Sequence, residues 1–243
     1  MRKRWTALAA GLAAATVLVS SGTAAARTST APVALSGWNL TLPVDSSGGT
    51  SGDATTLSPA RLYSPYLTST STGALEFWAP SDGARLGISA HARTELRGTG
   101  TFTLGNGTAR LTETATVTRV PDHSHDIIIG QMFPSGTTPF AMLHYQSGKV
   151  YGFIHGQSQE YVCATGIPLG AAFTDSITAN GDTVTFSVTY QGKTTSKNAS
   201  GIGSYLGDTM HFQAGDYQQD PTGQAASDGG RVTFSALSQS GVR

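Results

Sequence analysis

Only 12% of the chain is charged, yet three charges stand at alternate positions in "HARTELRG", residues 91–98: Arg93, Glu95 and Arg97. Alternate residues of a strand project to one face. Two guanidiniums on such a face offer forked donors matched to carboxylates. Glu95 between them can hold their side chains in place or accept hydroxyl groups. The same three residues could equally form an exposed salt-bridge ladder, which adds little to stability. A second stretch, "HFQAGDYQQ" (211–219), puts His211, Gln213, Gly215, Tyr217 and Gln219 on one strand face, and Phe212 and Ala214 on the other. Amides, an imidazole and a phenol on a polar face suit a hydroxyl-rich ligand and a proton transfer. A strand tyrosine is also commonly structural, its hydroxyl tied to a neighbour. The third stretch, "IIIGQMF" (127–133), sets Gln131 in an apolar run. A buried amide needs partners, so Gln131 either bonds a neighbouring strand or aims donors into a groove.

Short runs with period-two alternation must position these groups. "WNLTLP" (38–43), "LEFWAP" (75–80), "ARLTETATVTRV" (109–120), "DIIIGQMF" (126–133), "TMHFQAGDYQQ" (209–219) and "RVTFSALS" (231–238) read as strands. "FAMLHYQSGKVYGFIHG" (140–156) reads as a hairpin around Ser147-Gly148, and "TVTFSVTYQGKTTS" (183–196) as another around Gln191-Gly192. Helical periodicity is short everywhere; "SPARLYSPYL" (58–67) is the place for a brief helical turn. No repeat of fixed period is visible, and 30 glycines supply turns. Many short strands predict an all-β fold: a jelly-roll β-sandwich of two antiparallel sheets, with a concave outer face forming a groove.

The start of the chain reads differently. Met1-Arg-Lys-Arg4, an apolar stretch to Ser20 and small residues at Ala24–Ala26 form a signal-peptide pattern over residues 1–26. Residues 27–36 read as a flexible lead-in and 37–243 as a single domain, so a secreted protein is expected. Removing Arg2, Lys3 and Arg4 leaves 12 of the 15 basic residues against 15 acidic ones, a net charge of about −3. That balance offers no general attraction for nucleic acid or a membrane surface, and a monomer is expected. The single cysteine, Cys163, excludes an internal disulfide and reads as a small buried residue. "HSHD" (123–126) places two histidines on a loop, too few ligands to imply a metal. No cofactor is expected.

In order and spacing, "RTELR" (93–97), "QMF" (131–133) and "HFQAGDYQQ" (211–219) resemble the alginate lyases of polysaccharide lyase family seven. That family carries an Arg-Ser/Thr-Glu-Leu-Arg strand, a Gln-Ile/Val-His strand and a Tyr-Phe-Lys-Ala-Gly-x-Tyr-x-Gln strand. The resemblance implies a jelly roll and β-elimination on an anionic polysaccharide of uronic acids. It also implies that Arg93 and Gln131 neutralise the substrate carboxylate and that Tyr217 is the acid and base. Arg97 and Gln219 would bind or position substrate. A free phenol ionises near pH 10, and a nearby arginine favours the phenolate.

Three positions depart from the motifs. Phe133 stands where the family has histidine, Gln213 where it has lysine and His211 where it has the first tyrosine. In mannuronate and glucuronate the C5 proton and O4 lie on one side, and a single tyrosine can take the proton and return it. In guluronate they are anti, and a base on the opposite face is needed. Phe133 therefore predicts a preference for mannuronate or glucuronate. Six strand residues separate His211 from Tyr217, about 20 Å, so His211 is expected to meet a neighbouring sugar or the groove wall. His144 is a looser candidate. The alternatives are a glucuronan lyase, a non-catalytic module binding an acidic polysaccharide, and a glycoside hydrolase. The last needs two carboxyls across one bond, and Glu76, Glu95, Glu113 and Glu160 offer no close-spaced pair on one strand.

Overall fold

The computed structural model describes residues 32–136, 138–221 and 225–243. The expected signal peptide lies outside them. Among the described residues, sixteen strands follow in chain order. They are β1 (Trp38–Thr41), β2 (Thr56–Leu57), β3 (Leu67–Ser69), β4 (Leu75–Pro80), β5 (Arg93–Gly98), β6 (Phe102–Thr103), β7 (Thr108–Arg119) and β8 (Asp126–Pro134). Then come β9 (Ala141–Gln146), β10 (Lys149–Ile154), β11 (Glu160–Ala164), β12 (Ala172–Asn180), β13 (Thr183–Tyr190), β14 (Lys193–Ala199), β15 (Thr209–Gln218) and β16 (Gly229–Ser240). One sheet runs β11-β10-β9-β8-β15-β5-β1-β2, with β6 on the end of β15; the other runs β14-β13-β12-β7-β16-β4-β3. Neighbouring strands in both are antiparallel. This is the expected two-sheet jelly roll.

Alternation builds the core between the sheets. In β7 the residues Ala109, Leu111, Ala115 and Val117 turn inward while threonines face out. From the other sheet, Leu40, Leu96, Phe212, Met132 and Leu143 are fully buried. Sheet contact is close at Gly152, where a Cβ would stand 2.1 Å from the Phe186 ring. Both expected hairpins form. Ser147 and Gly148 (φ 48° and 80°) and Gln191 and Gly192 (φ 50° and 75°) take the left-handed conformations that two-residue turns require.

The helical turn expected in 58–67 is not there. Tyr63–Leu67 makes a tight turn instead, with Tyr66 N and Leu67 N both donating to Tyr63 O, and Leu67 enters β3. Among the described residues the one helical turn is Gly203–Tyr205, a 3-10 turn. The sequence signal also missed β12. Asp175 points inward there with Phe173 and Ile177, and a carboxyl on the apolar face hides the alternation. Val33, from the expected lead-in, donates to Gly73 O at 3.0 Å. Cys163 is buried in β11, and burial pushes its thiol up to about 11.

For the site, the decisive feature is the neighbourhood of β15. It lies between β8 and β5, so three stretches far apart in sequence become adjacent strands.

Candidate active site

Strand register brings the polar residues into rungs. Arg97, Gln213 and Gln131 stand opposite one another across β5, β15 and β8. Tyr217 pairs with Arg93, and His211 with Phe133. On β15, the four residues from Ala214 to Tyr217 span three on β8, from Gly130 to Ile128. This bulge occurs at Gly215, whose φ is +154°; a Cβ there would lie 2.5 Å from Thr94 O. The outer face holds a cavity of about 400 Å³. Its floor is Arg93, Arg97, Gln131, Gln213, Tyr217 and His211, with Phe133 beside them. Leu86–Ser89, Gly136 and Pro139 form the rim.

One hydrogen-bond chain links the floor. Arg93 Nη1 donates to Glu95 Oε2 at 3.0 Å, and Gln131 Nε2 donates to Glu95 Oε1 at 2.5 Å and to Gln213 Oε1 at 3.0 Å. Gln213 Nε2 lies 3.0 Å from His211 Nε2. An amide nitrogen only donates, so His211 Nε2 accepts and the neutral ring carries its proton on Nδ1. Burial, and then Arg97, push His211 down to about 4, so the ring is uncharged at neutral pH. Burial raises the Glu95 carboxyl, and Arg93 and the Gln131 hydrogen bond oppose that rise. The Arg93 guanidinium also sits 3.6 Å from the centre of the Tyr217 ring.

These placements refine the sequence reading. Glu95 is 2% exposed and lies under the floor, holding Arg93 but not Arg97, which is exposed. Gln131 is both bridge and groove residue: its N–H groups serve Glu95 and Gln213, and it lines the cavity. His211 and Tyr217 line the same cavity at separate rungs of β15, His211 beside Phe133 and Tyr217 beside Arg93. Gln219 is not among the lining residues; its Nε2 donates back to Tyr217 O and Gln218 O. His144 is elsewhere on the sheet, its Nδ1 3.0 Å from Asp126 Oδ1 and its ring stacked on Tyr151.

Sequence reasoning missed Ser89 and His91. Ser89 Oγ lies 2.9 Å from Tyr217 Oη and accepts from Arg93 Nη2 at 2.9 Å. The His91 ring meets Tyr217 edge-on, with centroids 6.1 Å apart. A serine in a Gly/Ser-rich loop carries no pattern that distinguishes it. No Asp or Glu is among the described residues lining the cavity, so the two-carboxylate arrangement of a hydrolase is missing there. His123, Asp220 and Asp228 bring ligand atoms within 4.8 Å of one another. Their carboxylates already accept protein hydrogens: Asp220 from His123 N and Ser124 N, Asp228 from Asp122 N and Ser81 Oγ.

The family model for alginate lyase matches residues 33–240. The chain belongs to the alginate lyase family. It is thus a polysaccharide lyase, as the three motifs implied. A curated alginate lyase of Klebsiella pneumoniae is 27% identical over 78% of this chain and 84% of that one. Among solved structures, an alginate lyase of Pseudomonas aeruginosa is 29% identical, covering 85% of this chain and 99% of its own, with a TM-score of 0.71. A family-seven alginate lyase solved with a product (GGG) is 24% identical, covers 85% of this chain and 95% of its own, and superposes with a TM-score of 0.69.

Proposed function

We propose that this alginate lyase family member is secreted and cleaves a 1,4-linked polyuronate by β-elimination, with mannuronate-rich alginate favoured. One observation carries the reading. On a cavity floor without carboxylates, the Tyr217 hydroxyl stands beside the Arg93 guanidinium, both within 2.9 Å of Ser89 Oγ. That is an acid–base group next to a fixed positive charge.

The chemistry follows from the substrate. The C5 proton of a uronate is weakly acidic, because the adjacent carboxylate resists further negative charge. Arg93 supplies a positive charge where that charge grows. Gln131 contributes an amide N–H, for which the substrate carboxylate, an anion, competes with the Gln213 oxygen. Tyr217, as phenolate, takes the C5 proton. The C5–H electrons form the C4=C5 double bond, and the C4–O4 bond breaks with its pair on O4. The same proton passes from Tyr217 to O4, restoring the phenolate. Arg97, Gln213 and His211 bind the flanking sugar groups. An alginate lyase of the same fold has been solved with a product (GGG), which supports an oligosaccharide ligand for this chain.

The test follows ultraviolet absorbance while the purified protein is incubated separately with polymannuronate, polyguluronate and glucuronan. Absorbance from the new conjugated double bond is expected to rise fastest on polymannuronate. Tyr217→Phe is expected to slow turnover by about 10²–10⁴-fold, the usual weight of a general acid–base group, with thermal melting unchanged. No absorbance change on any polymer, with binding retained, would replace the lyase reading by one of a polysaccharide-binding protein.

A further inference from the structure

Ser89 belongs to the loop between β4 and β5, four residues before Arg93. Its hydroxyl has three close partners, Tyr217 Oη at 2.9 Å, Arg93 Nη2 at 2.9 Å and the His91 carbonyl at 3.0 Å, and a longer contact in which His91 N donates to it at 3.5 Å. Arginine can only donate and a carbonyl can only accept, while a serine hydroxyl has one hydrogen and two lone pairs. Two arrangements are therefore open. In one, Ser89 donates to the His91 carbonyl and accepts the hydrogen of a neutral Tyr217. In the other, the Ser89 hydrogen turns to Tyr217 and is donated to a phenolate. Arg93 donates to the same oxygen in both.

We propose that Ser89 is the positioning residue for the acid–base tyrosine, its hydroxyl turning between the His91 carbonyl and Tyr217 as the phenol loses and regains its proton. The inference rests on Tyr217 as the acid–base group. Ser89 gains and loses no proton in the cycle; it rotates. The C5 proton goes to Tyr217 and then to O4, and the broken C4–O4 pair leaves on O4.

The local structure is built to hold this hydroxyl. Ser89 N donates to Leu86 O at 3.0 Å. His91 Nδ1 lies 2.7 Å from the Asp220 carbonyl, which fixes the Nδ1–H tautomer and ties the loop to the chain following β15. The charged or titratable groups around Tyr217 are Arg93 over its ring and His91 at its edge. Glu95 lies beneath Arg93, and Arg97 and His211 stand further along the floor.

The experiment compares Ser89→Ala and Ser89→Thr with the parent protein on the polymer it turns over fastest, with Tyr217→Phe alongside. Ser89→Ala is expected to lower kcat by about 10–100-fold, the effect of removing one hydrogen bond to a charged group. KM should stay within about twofold, and the rising limb of the kcat–pH profile should move to higher pH, because the phenolate has lost a donor. Ser89→Thr keeps the hydroxyl and should restore most of the rate and the parent profile. An unchanged kcat and profile in Ser89→Ala would overturn the inference. So would a loss confined to KM, or a loss that threonine leaves unrepaired with the profile unmoved. If Tyr217→Phe stays active, the acid–base reading falls first. If Tyr217→Phe is inert and Ser89→Ala is normal, only the Ser89 role falls.

Discussion

Phe133 and His211 stand opposite each other on β8 and β15, their ring centroids 5.8 Å apart. The family motif has histidine at the first of these positions. The imidazole at the second is neutral, buried, and held by the Gln213 amide through Nε2. It therefore offers the cavity an Nδ1–H donor, not a lone pair. A donor can bind a hydroxyl or carboxylate; it cannot remove a C5 proton from the face opposite Tyr217. On the proposed mechanism, an imidazole restored at the motif position would supply that base. Phe133→His is expected to raise turnover of polyguluronate relative to polymannuronate by about tenfold or more, below the full weight of a general base because the new ring lacks partners selected with it. The rate ratio on the two polymers, read by ultraviolet absorbance, checks this; an unchanged ratio means that the side chain at 133 does not govern the preference.

At the scale of elements, β15 organises the site. Its β5 side is regular and pairs Tyr217 with Arg93, while its β8 side carries the bulge at Gly215. The bulge needs a residue without a side chain, because a Cβ would press on Thr94 O at 2.5 Å and Glu95 Cα at 2.8 Å. Gly215→Ala must push β5 and β15 apart below Arg93 and Tyr217. Urea unfolding should show a loss of about 1–3 kcal/mol, the range for an overpacked site, together with reduced kcat. A midpoint equal to that of the parent would show that the strands yield without cost. The strands themselves were legible where one face is apolar, as in β7, β8 and β15. They were not legible where the inward face carries a carboxyl, as in β12, or where a strand is two residues long, as in β2 and β6.

The whole sandwich encloses an unusual set of acids. Glu113 and Asp175 face each other across β7 and β12, and Asp216 reaches inward to accept from Ala79 N at 3.0 Å. Gly130 leaves room for Glu113, whose Oε1 would be 3.2 Å from a Cβ at that position. Burial raises all three carboxyls, Asp175 to about 8. Their sign is set by linkage. The unfolded chain releases these protons near pH 4, and the folded protein keeps them until a higher pH, so stability is lost as pH rises towards 8. His211 works the other way between about 4 and 6.5, where the unfolded chain binds the extra proton. The net fall should therefore be clearest between about pH 6.5 and 8. Melting temperature should drop across that window, and Asp175→Asn, which cannot ionise, should flatten the drop. An equally steep drop in Asp175→Asn would place its origin in other groups.

The sequence by itself determined the two-sheet class and the groups that belong together. Period-two alternation is local and physical: one face of each strand must leave water, and the residues show which. The residue types of "RTELR", Gln131 and "HFQAGDYQQ" likewise pointed to one polar groove, for which carboxylate binding and proton transfer are the proposed roles. Only the tertiary structure decided that β5, β15 and β8 are neighbours, that β15 carries a bulge at Gly215, and that Gln219 turns away from the cavity. Only the fold brings the Ser89 loop against Tyr217, 128 residues further along the chain. Contacts of that kind arise from strand order and loop closure, which depend on the packing of the whole core and leave no periodic trace in the residues that make them.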